Sequence, residues 1–218
     1  MKNYFAQPRP EMLPFVPARR DRILDVGCGA GEFIASIPGV GETWGVEPSA
    51  AGEVAAKRLT KVLRGTFADV ASDLPTRYFD VIICNDVIEH MSDHVAFLSV
   101  VGNYLKPGGV VIGSIPNVLF YNNFCRLFLE KDWMYEDSGI LDRTHVAFFT
   151  RKSFLRTMRA CGLEVVHITG INRNILLRGD RRTRTYRMAC RLLGVMSLGY
   201  WTEMQFLQFG FQARPRSQ

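Results

Sequence analysis

A regular alternation of short apolar runs with helical stretches constrains the fold of this chain more than any other feature of its sequence. It begins with a strand in RILDVG, a helix from Gly31 to about Ile37, a strand in ETWGVEP and a helix from about Ala50 to Leu59. Neighbouring parallel strands need a crossover connection, which is usually a helix. The order strand, helix, strand, helix therefore predicts a parallel sheet covered by helices.

The same alternation continues to about residue 117. KVLRGTF predicts a third strand, and FDVIICND predicts a fourth that is buried on both faces, because its apolar run is unbroken. A helix from about His94 to Leu105, the turn KPGG and the strand VVIGSIPN follow. This half of the chain is typical of a doubly wound domain.

The second half departs from that pattern before returning to it. An aromatic-rich excursion at 118–150 precedes a helix from about Lys152 to Cys161 and the strand LEVVHIT. The last strand, MQFLQFGFQA, has no crossover after it and is interpreted as an antiparallel edge. The full prediction is an α/β, doubly wound, seven-stranded Rossmann-like sheet that is mostly parallel with an antiparallel last strand.

Length and composition favour a single domain. The 218 residues, 47% of them hydrophobic, suffice for one sizeable core. We divide the domain into an arm at 1–20, the excursion at 118–150, which long loops suggest is a lid or substrate pocket, and a basic insertion at 173–200. No apolar run long enough for a membrane span and no signal peptide is recognisable, so we expect a cytoplasmic protein.

The cysteines predict neither a disulfide framework nor a metal site. They are widely spaced, form no C-x-x-C pair and have no histidine at metal-ligand spacing. We expect reduced thiols and no bound metal. The five are Cys28, Cys84, Cys125, Cys161 and Cys190.

The net charge of +6 comes mainly from one arginine cluster. Such a cluster can grip a phosphorylated acceptor, contact an anionic surface or form a solvated helix face, and these alternatives remain open. We recognise no nucleic-acid-binding motif and expect no nucleic-acid partner. The oligomeric state cannot be inferred from the sequence. The cluster comprises Arg173, Arg178, Arg181, Arg182, Arg184, Arg187 and Arg191.

A glycine-rich turn in LDVGCGAG marks the predicted cofactor site. Glycines there let the backbone approach a ligand, and the helix that follows offers unpaired N–H groups. The spacing is G-x-G-x-G rather than the G-x-G-x-x-G of dinucleotide sites. Asp25, just before the turn, would attract a cationic ligand and repel a pyrophosphate. S-adenosylmethionine (SAM) carries an ammonium and a sulfonium but no phosphate, and therefore suits this turn.

Later strands also end in polar residues. Glu47 closes the second strand, where an acidic side chain can accept hydrogen bonds from both hydroxyls of an adenosine ribose, whether of SAM or of NAD. The fourth strand ends in NDVIEH and the fifth in IPN. These residues are predicted to meet at the carboxyl edge of the sheet, where open α/β sheets bind ligands.

Taken together, LDVGCGAG, GVEPS, FDVIICNDVIEHM, LKPGG and SIPN resemble the motifs of class I SAM-dependent methyltransferases over about residues 20–117. The resemblance implies SAM as the cofactor. Its binding residues would be Asp25, Gly27, Cys28, Gly29, Gly31, Glu47, Pro48, Phe67, Ala68, Asn85 and Asp86. By this resemblance the turn and Asp25 hold the methionine part, with Cys28 as a spacer. Glu47 holds the ribose, Phe67 or Ala68 flanks adenine, and Asn85 and Asp86 lie under the sulfonium.

A narrower resemblance extends over about residues 4–165. YFAQPRPEML, DVIEH, SIPN and DWMYEDSGILDRTHVAFFT resemble methyltransferases found beside glycosyltransferases in bacterial surface-polysaccharide gene clusters. It implies that the region around Tyr4 and Arg9 covers the cofactor. It also favours O-methylation of a sugar or sugar-linked small molecule in cell-envelope polysaccharide synthesis. The alternatives are a quinone-like or aromatic acceptor, a non-catalytic SAM-binding module and a nicotinamide oxidoreductase.

Two histidines are the candidate proton acceptors for methylation of a hydroxyl. Histidine titrates near neutral pH and can take the proton as the new bond forms. His145 lies in the excursion, where Asp142 would orient it, and His90 follows the fourth strand. The structural alternatives are that His145 ties the lid to the sheet and that His90 braces a loop with Glu89. The aromatic residues of the excursion either line an acceptor pocket or pack on the core.

Overall fold

The computed structural model describes residues 8–173, 188, 192, 195–199 and 201–216. Its strands form one seven-stranded sheet in the order β3-β2-β1-β4-β5-β7-β6. Pairing is parallel from β3 through β5, and β7 runs antiparallel to both of its neighbours. The strands are β1 Arg22–Val26, β2 Glu42–Glu47, β3 Lys61–Arg64, β4 Phe79–Asn85, β5 Leu105–Pro116, β6 Leu163–Arg173 and β7 Phe206–Pro215. The predicted doubly wound, mostly parallel sheet with an antiparallel last strand is confirmed.

The helices alternate with the strands up to β5. They are α1 Glu32–Ser36, α2 Ala51–Ala55, α3 Phe67–Val70, α4 His94–Val100, α5 Tyr121–Cys125 and α6 Arg151–Ala160. Shorter 3₁₀ turns include Pro10–Phe15, Ile88–His90 and Val101–Tyr104, and a π-helical turn at Arg126–Glu130 extends α5. Several helices are shorter than predicted: α4, for example, tightens into the 3₁₀ turn at Val101–Tyr104. No helix in the described ranges has the length and apolarity that a membrane crossing requires.

The last strand is not an edge strand, contrary to the prediction. β7 lies between β5 and β6, and its central residues Gln208–Phe211 are buried. β6 is the edge instead, and it exposes polar side chains such as Glu164 and Thr169. A polar strand tolerates an edge, whereas a largely apolar one gains more from neighbours on both sides. The antiparallel direction was predicted correctly, but the position in the sheet was wrong.

Two apolar layers enclose the sheet. Successive residues of β4 alternate between them: Ile82 belongs to one cluster, whereas Val81 and Ile83 belong to the other. This alternation follows from strand geometry, in which neighbouring side chains point to opposite faces. It explains the unbroken apolar run of this strand and leaves the carboxyl edge of the sheet as the place for polar groups.

Candidate active site

The glycine turn lies at the carboxyl end of β1 and is tied to the end of β2. The N–H groups of Gly27 and Cys28 donate to the carbonyl of Val46, at 2.8 and 3.2 Å. The Glu47 carboxylate accepts from the N–H of Gly29 at 2.9 Å with one oxygen and from the N–H of Ser49 at 2.9 Å with the other. The predicted methionine and ribose residues are therefore brought together, and Glu47 fixes the shape of the turn.

Gly27 needs to be glycine for two reasons. Its φ of 71° lies in the left-handed region, and a Cβ there would lie 2.6 Å from Cγ2 of Val87. The first reason concerns the backbone, and the second concerns packing against the segment that follows β4.

We expect Gly27→Ala to lower the free energy of unfolding by about 2–5 kcal/mol, the sum of left-handed strain and overpacking. Gly108→Ala is the matched control, because Gly108 has a φ of 80° and no atom within 4 Å of an added Cβ. The control should lose only the strain term, about 1–2 kcal/mol. Urea unfolding measures both, and equal losses in the two variants would contradict the packing argument.

Asp25 is a buried carboxyl at the carboxyl end of β1, with only 4% of its surface exposed. Burial raises its pKa to about 8, the nearby guanidinium of Arg9 opposes the shift, and the charge of Glu47 adds to it. In the empty site the proton therefore offsets the cost of burying a charge. A cationic ligand would favour the ionised form.

Stability should depend on pH through Asp25. A raised pKa means that the folded state keeps a proton that the unfolded state loses, so stability falls as pH rises from about 4 to about 8. Asp25→Asn lacks this dependence and should exceed the wild type by a few kcal/mol at pH 8.5, since each pKa unit is worth about 1.4 kcal/mol. Urea unfolding from pH 4 to 9 measures the difference. The exposed Asp73→Asn should follow the wild type, and parallel curves for Asp25→Asn would contradict the prediction.

Asp86 joins four parts of the chain at the end of β4. Its backbone has a φ of 51°. One carboxylate oxygen accepts from Arg9 at 2.7 Å and from Gln208 at 2.6 Å, and the other accepts from the hydroxyl of Ser114 at 2.7 Å. Asn85, which precedes it, has a buried side-chain oxygen without a partner among the described residues. Both predicted sulfonium-end residues thus lie at the carboxyl edge of the sheet.

The described part of the N-terminal arm packs on β7. Met12 and Phe15 are buried, and a Cβ on Gly210 would lie 2.5 Å from the ring of Phe15. This packing places the guanidinium of Arg9 within hydrogen-bond distance of the Asp86 carboxylate. Tyr4 lies outside the described residues, so covering of the cofactor by the region around it remains a prediction.

The adenine assignment needs a correction. The ring of Phe67 is buried in the core, edge-on to Phe97 at 4.8 Å, so its side chain is not available to a ligand. Ala68 is exposed beside it, as is Pro48 after β2. Asp69 is engaged in a capping box with Thr66 that starts α3. The side chain of Phe67, on the short helix α3, fills the core instead of flanking adenine.

Cys28 is a spacer with an inert thiol. Burial, with the charges of Asp25 and Glu47, raises its pKa. Its sulfur would lie 2.6 Å from a Cβ on Gly45, so the thiol fills the space that this glycine leaves. A protonated, packed thiol is a poor nucleophile.

The two candidate histidines, far apart in sequence, meet in space. The rings of His90 and His145 have centroids 4.6 Å apart and stand nearly perpendicular. The carbonyl of Glu89 accepts from the N–H groups of Val146 and Ala147, at 2.9 and 3.2 Å. These two backbone bonds hold the excursion against the end of β4.

Asp142 does not orient His145 as predicted. The Nδ1 atom of His145 lies 2.9 Å from the carbonyl of Ile140, which fixes that ring. Asp142 instead accepts from the N–H and the hydroxyl of Thr144, and this hydroxyl lies 3.1 Å from Nδ1 of His90. The carboxylate therefore acts on His90, through Thr144. The difference arises because the turn before His145 presents a main-chain acceptor to the ring.

Glu89 belongs with these histidines, although the sequence suggested only a bracing role for it. Its side chain is 1% exposed, and one of its oxygens lies 4.0 Å from Nε2 of His145. One ligand atom from each of Glu89, His90 and His145 lies within 4.8 Å of the others. We call these three residues the His–Glu cluster. The sequence signal for Glu89 and His90 was an acidic residue next to a histidine at the end of a strand. No local pattern linked them to His145, which is remote in sequence.

The aromatic residues of the excursion divide into three groups, one of which is the stacked pair Phe124 and Phe128. Phe120, Tyr121 and Phe149 are buried and serve the core. Phe148 faces the cluster, with its ring 6.3 Å from that of His145, and Trp133 packs edge-on against it at 5.2 Å. Trp133 and Phe148, together with the exposed Tyr135 beside Phe148, form an aromatic wall next to the two histidines. We define the aromatic wall as Trp133, Tyr135 and Phe148.

Comparison with known proteins adds three findings. The model of a family described as a methyltransferase domain matches residues 1–168. A ubiquinone biosynthesis O-methyltransferase from Bradyrhizobium sp. (strain ORS 278) is 35% identical over 103 residues, which are 44% of this chain and 40% of that protein. One from Vibrio atlanticus (strain LGP32) is 29% identical over 176 residues, 77% of this chain and 70% of that protein. The chain thus spans well under two thirds of the first relative.

Solved structures share the fold. A SAM-dependent methyltransferase from Archaeoglobus fulgidus superposes with a TM-score of 0.64 at 18% identity, covering 93% of this chain and 89% of that one. At this identity the likeness concerns the fold alone.

Proposed function

Because this chain belongs to the SAM-dependent methyltransferase family, we propose that it transfers the methyl group of SAM to a hydroxyl of a small quinone-like or other aromatic acceptor. The observation that carries the acceptor class is the aromatic wall beside the histidine pair. Phe148 lies 6.3 Å from His145, with Trp133 and Tyr135 around it. Flat rings stack on such a surface. The names of the curated relatives, which are O-methyltransferases of ubiquinone biosynthesis, support the same class.

The electrostatics of the site suit SAM. Asp25, Glu47, Asp86 and Glu89 are acidic, and Arg9 is the cation seen among them in the described part of the chain. Because a cation favours the ionised forms of acidic groups such as Asp25, this surplus of acidic side chains suits a ligand with an ammonium and a sulfonium. Arg9 pairs with Asp86 at 2.7 Å, and we expect it to interact with the carboxylate of the methionine part when SAM binds.

The reaction is an in-line displacement at the methyl carbon. The acceptor oxygen forms a bond to that carbon as the carbon–sulfur bond breaks, which leaves a neutral thioether. Alignment of the oxygen, carbon and sulfur supplies much of the rate, of the order of 7–11 kcal/mol for well-oriented reactants. The hydroxyl proton must also leave, and the His–Glu cluster is where we expect this to be assisted.

A sugar or sugar-linked acceptor is the second candidate. The exposed rings of Trp133 and Tyr135 would also stack on a sugar face. A role in cell-envelope polysaccharide synthesis is supported only by the sequence resemblance stated above. Contact with an anionic surface remains a prediction, because Arg178 to Arg191 lie outside the described residues.

An acceptor screen distinguishes the two classes. Purified protein with SAM is offered hydroxylated quinols and catechols in one set and nucleotide sugars and free sugars in the other. The product S-adenosylhomocysteine and the mass of the methylated acceptor are measured. Methylation confined to the aromatic set supports the proposal, and methylation confined to the sugars would replace it. If neither set is methylated although the protein binds SAM, the result would favour a non-catalytic SAM-binding module.

A further inference from the structure

The His–Glu cluster contains a buried carboxylate that the protein leaves unsatisfied. Both oxygens of Glu89 lack a hydrogen-bond partner among the described residues, although the side chain is 1% exposed. Buried polar groups are paired in nearly all proteins, and an unpaired one costs stability. Within the described residues nothing satisfies these oxygens, which makes a bound ligand a candidate partner for them.

The two imidazoles are held as ligands usually are. Nδ1 of His145 lies 2.9 Å from the carbonyl of Ile140, so this nitrogen carries the proton and Nε2 presents its lone pair. Nδ1 of His90 lies 3.3 Å from the carbonyl of Thr144, which likewise frees its Nε2. Histidines that bind metals almost always have the other nitrogen fixed in this way.

The spacing of the ligand atoms fits one small cation. One ring nitrogen of each histidine and one carboxylate oxygen of Glu89 lie within 4.8 Å of one another. A cation bound at about 2.1 Å to each nitrogen and oxygen would hold them roughly 3–4 Å apart, which needs side-chain shifts of about 1 Å. Two imidazoles and one carboxylate form a known donor set for first-row divalent metals and leave positions open for a substrate oxygen.

We propose that Glu89, His90 and His145 bind one divalent transition-metal cation that activates the acceptor hydroxyl. The role of the cation in catalysis rests on the proposed function, whereas the binding of the cation does not. A coordinated hydroxyl loses its proton to solvent water more readily, because the cation lowers its pKa. The resulting oxyanion supplies the electron pair for the new bond to the methyl carbon, and the sulfur keeps the pair of the broken bond. No redox change is involved.

Binding of a cation here would overturn the expectation of no bound metal, which was based on the spacing of the cysteines and histidines. His90 and His145 are joined by the fold and not by a local motif. Asp86 is not part of the proposed ligand set, because Arg9, Gln208 and Ser114 already occupy its oxygens.

The test uses Co²⁺ as the probe, without SAM or acceptor. Full-length protein stripped with a chelator is titrated with Co²⁺, and binding is followed by calorimetry and by the visible absorption of the bound ion. We expect one equivalent to bind the wild type. His145→Ala and the nearly isosteric Glu89→Gln should each weaken Co²⁺ binding at least about tenfold, the scale on which even outer-shell changes act. His167→Ala, which removes an exposed histidine of β6, should bind Co²⁺ like the wild type.

Three outcomes would overturn the inference. One is a wild type that binds no Co²⁺ up to millimolar concentration, and another is equal affinity in the wild type and in Glu89→Gln with both proteins folded by circular dichroism. The third is methyl transfer that is undiminished in chelator and unchanged on adding Co²⁺, Mn²⁺ or Zn²⁺. Failure of the acceptor screen with Co²⁺ binding intact would overturn the proposed function and leave the site standing.

Discussion

Replacing His145 by alanine is expected to lower turnover about 100-fold or more, because groups that assist proton removal contribute roughly 10²–10⁴ to such reactions. His145 is buried, its ring is fixed by the carbonyl of Ile140, and it stands between Glu89 and Phe148. The substitution removes a group of the His–Glu cluster without touching the glycine turn. SAM affinity should therefore stay at the wild-type value.

Initial rates on an acceptor from the screen and calorimetry with SAM measure the two quantities. His167→Ala is the control, since it removes an exposed imidazole from β6 and should keep both turnover and affinity. A melting curve for each variant establishes that the fold persists. Wild-type turnover in His145→Ala would exclude this residue from the chemistry.

Replacing Glu47 by alanine is expected to weaken SAM binding at least tenfold, which corresponds to about 1.4 kcal/mol. Two effects combine. The ribose loses its acceptor, and the N–H groups of Gly29 and Ser49 lose the carboxylate that holds the turn. Glu47→Gln separates them, because an amide oxygen can keep one of these bonds. We expect an intermediate affinity for it.

The control is Glu53→Ala, which removes the same charge from an exposed position on α2. Its SAM affinity should match the wild type. Asp25→Ala should also weaken SAM binding tenfold or more, about 1.4 kcal/mol per decade, while remaining folded. Wild-type affinity in both Glu47→Ala and Asp25→Ala would remove these residues from the cofactor site.

The fold could be predicted from the sequence because its information is local. Apolar runs such as FDVIICN name buried strands, and the glycine turn of Gly27 to Gly31 marks the first crossover. The place of β7 could not be predicted. Pairing of β7 with both β5 and β6 depends on contacts between segments that are remote in sequence, and no local pattern encodes that order.

In the candidate site, too, some features could be predicted from local sequence and others could not. Asp25 and Glu47 lie at the carboxyl ends of their strands and Asp86 directly follows one, so their common edge was predictable. The roles of Phe67 and Asp142 were not, because each depends on a particular neighbour: the ring of Phe97 for one and the hydroxyl of Thr144 for the other. The pairing of Glu89 with His145 depends on how the excursion folds back, which its composition does not reveal.

The insertion of β7 between β5 and β6 also orders events during translation. β6 leaves the ribosome before its partner strand exists, so a nascent chain that stops short of residue 206 presents β6 as an unpaired strand. The same nascent chain lacks Gln208, one of the donors to Asp86. Arrival of the final strand thus completes the sheet and, at the same time, the set of donors to Asp86 at its carboxyl edge.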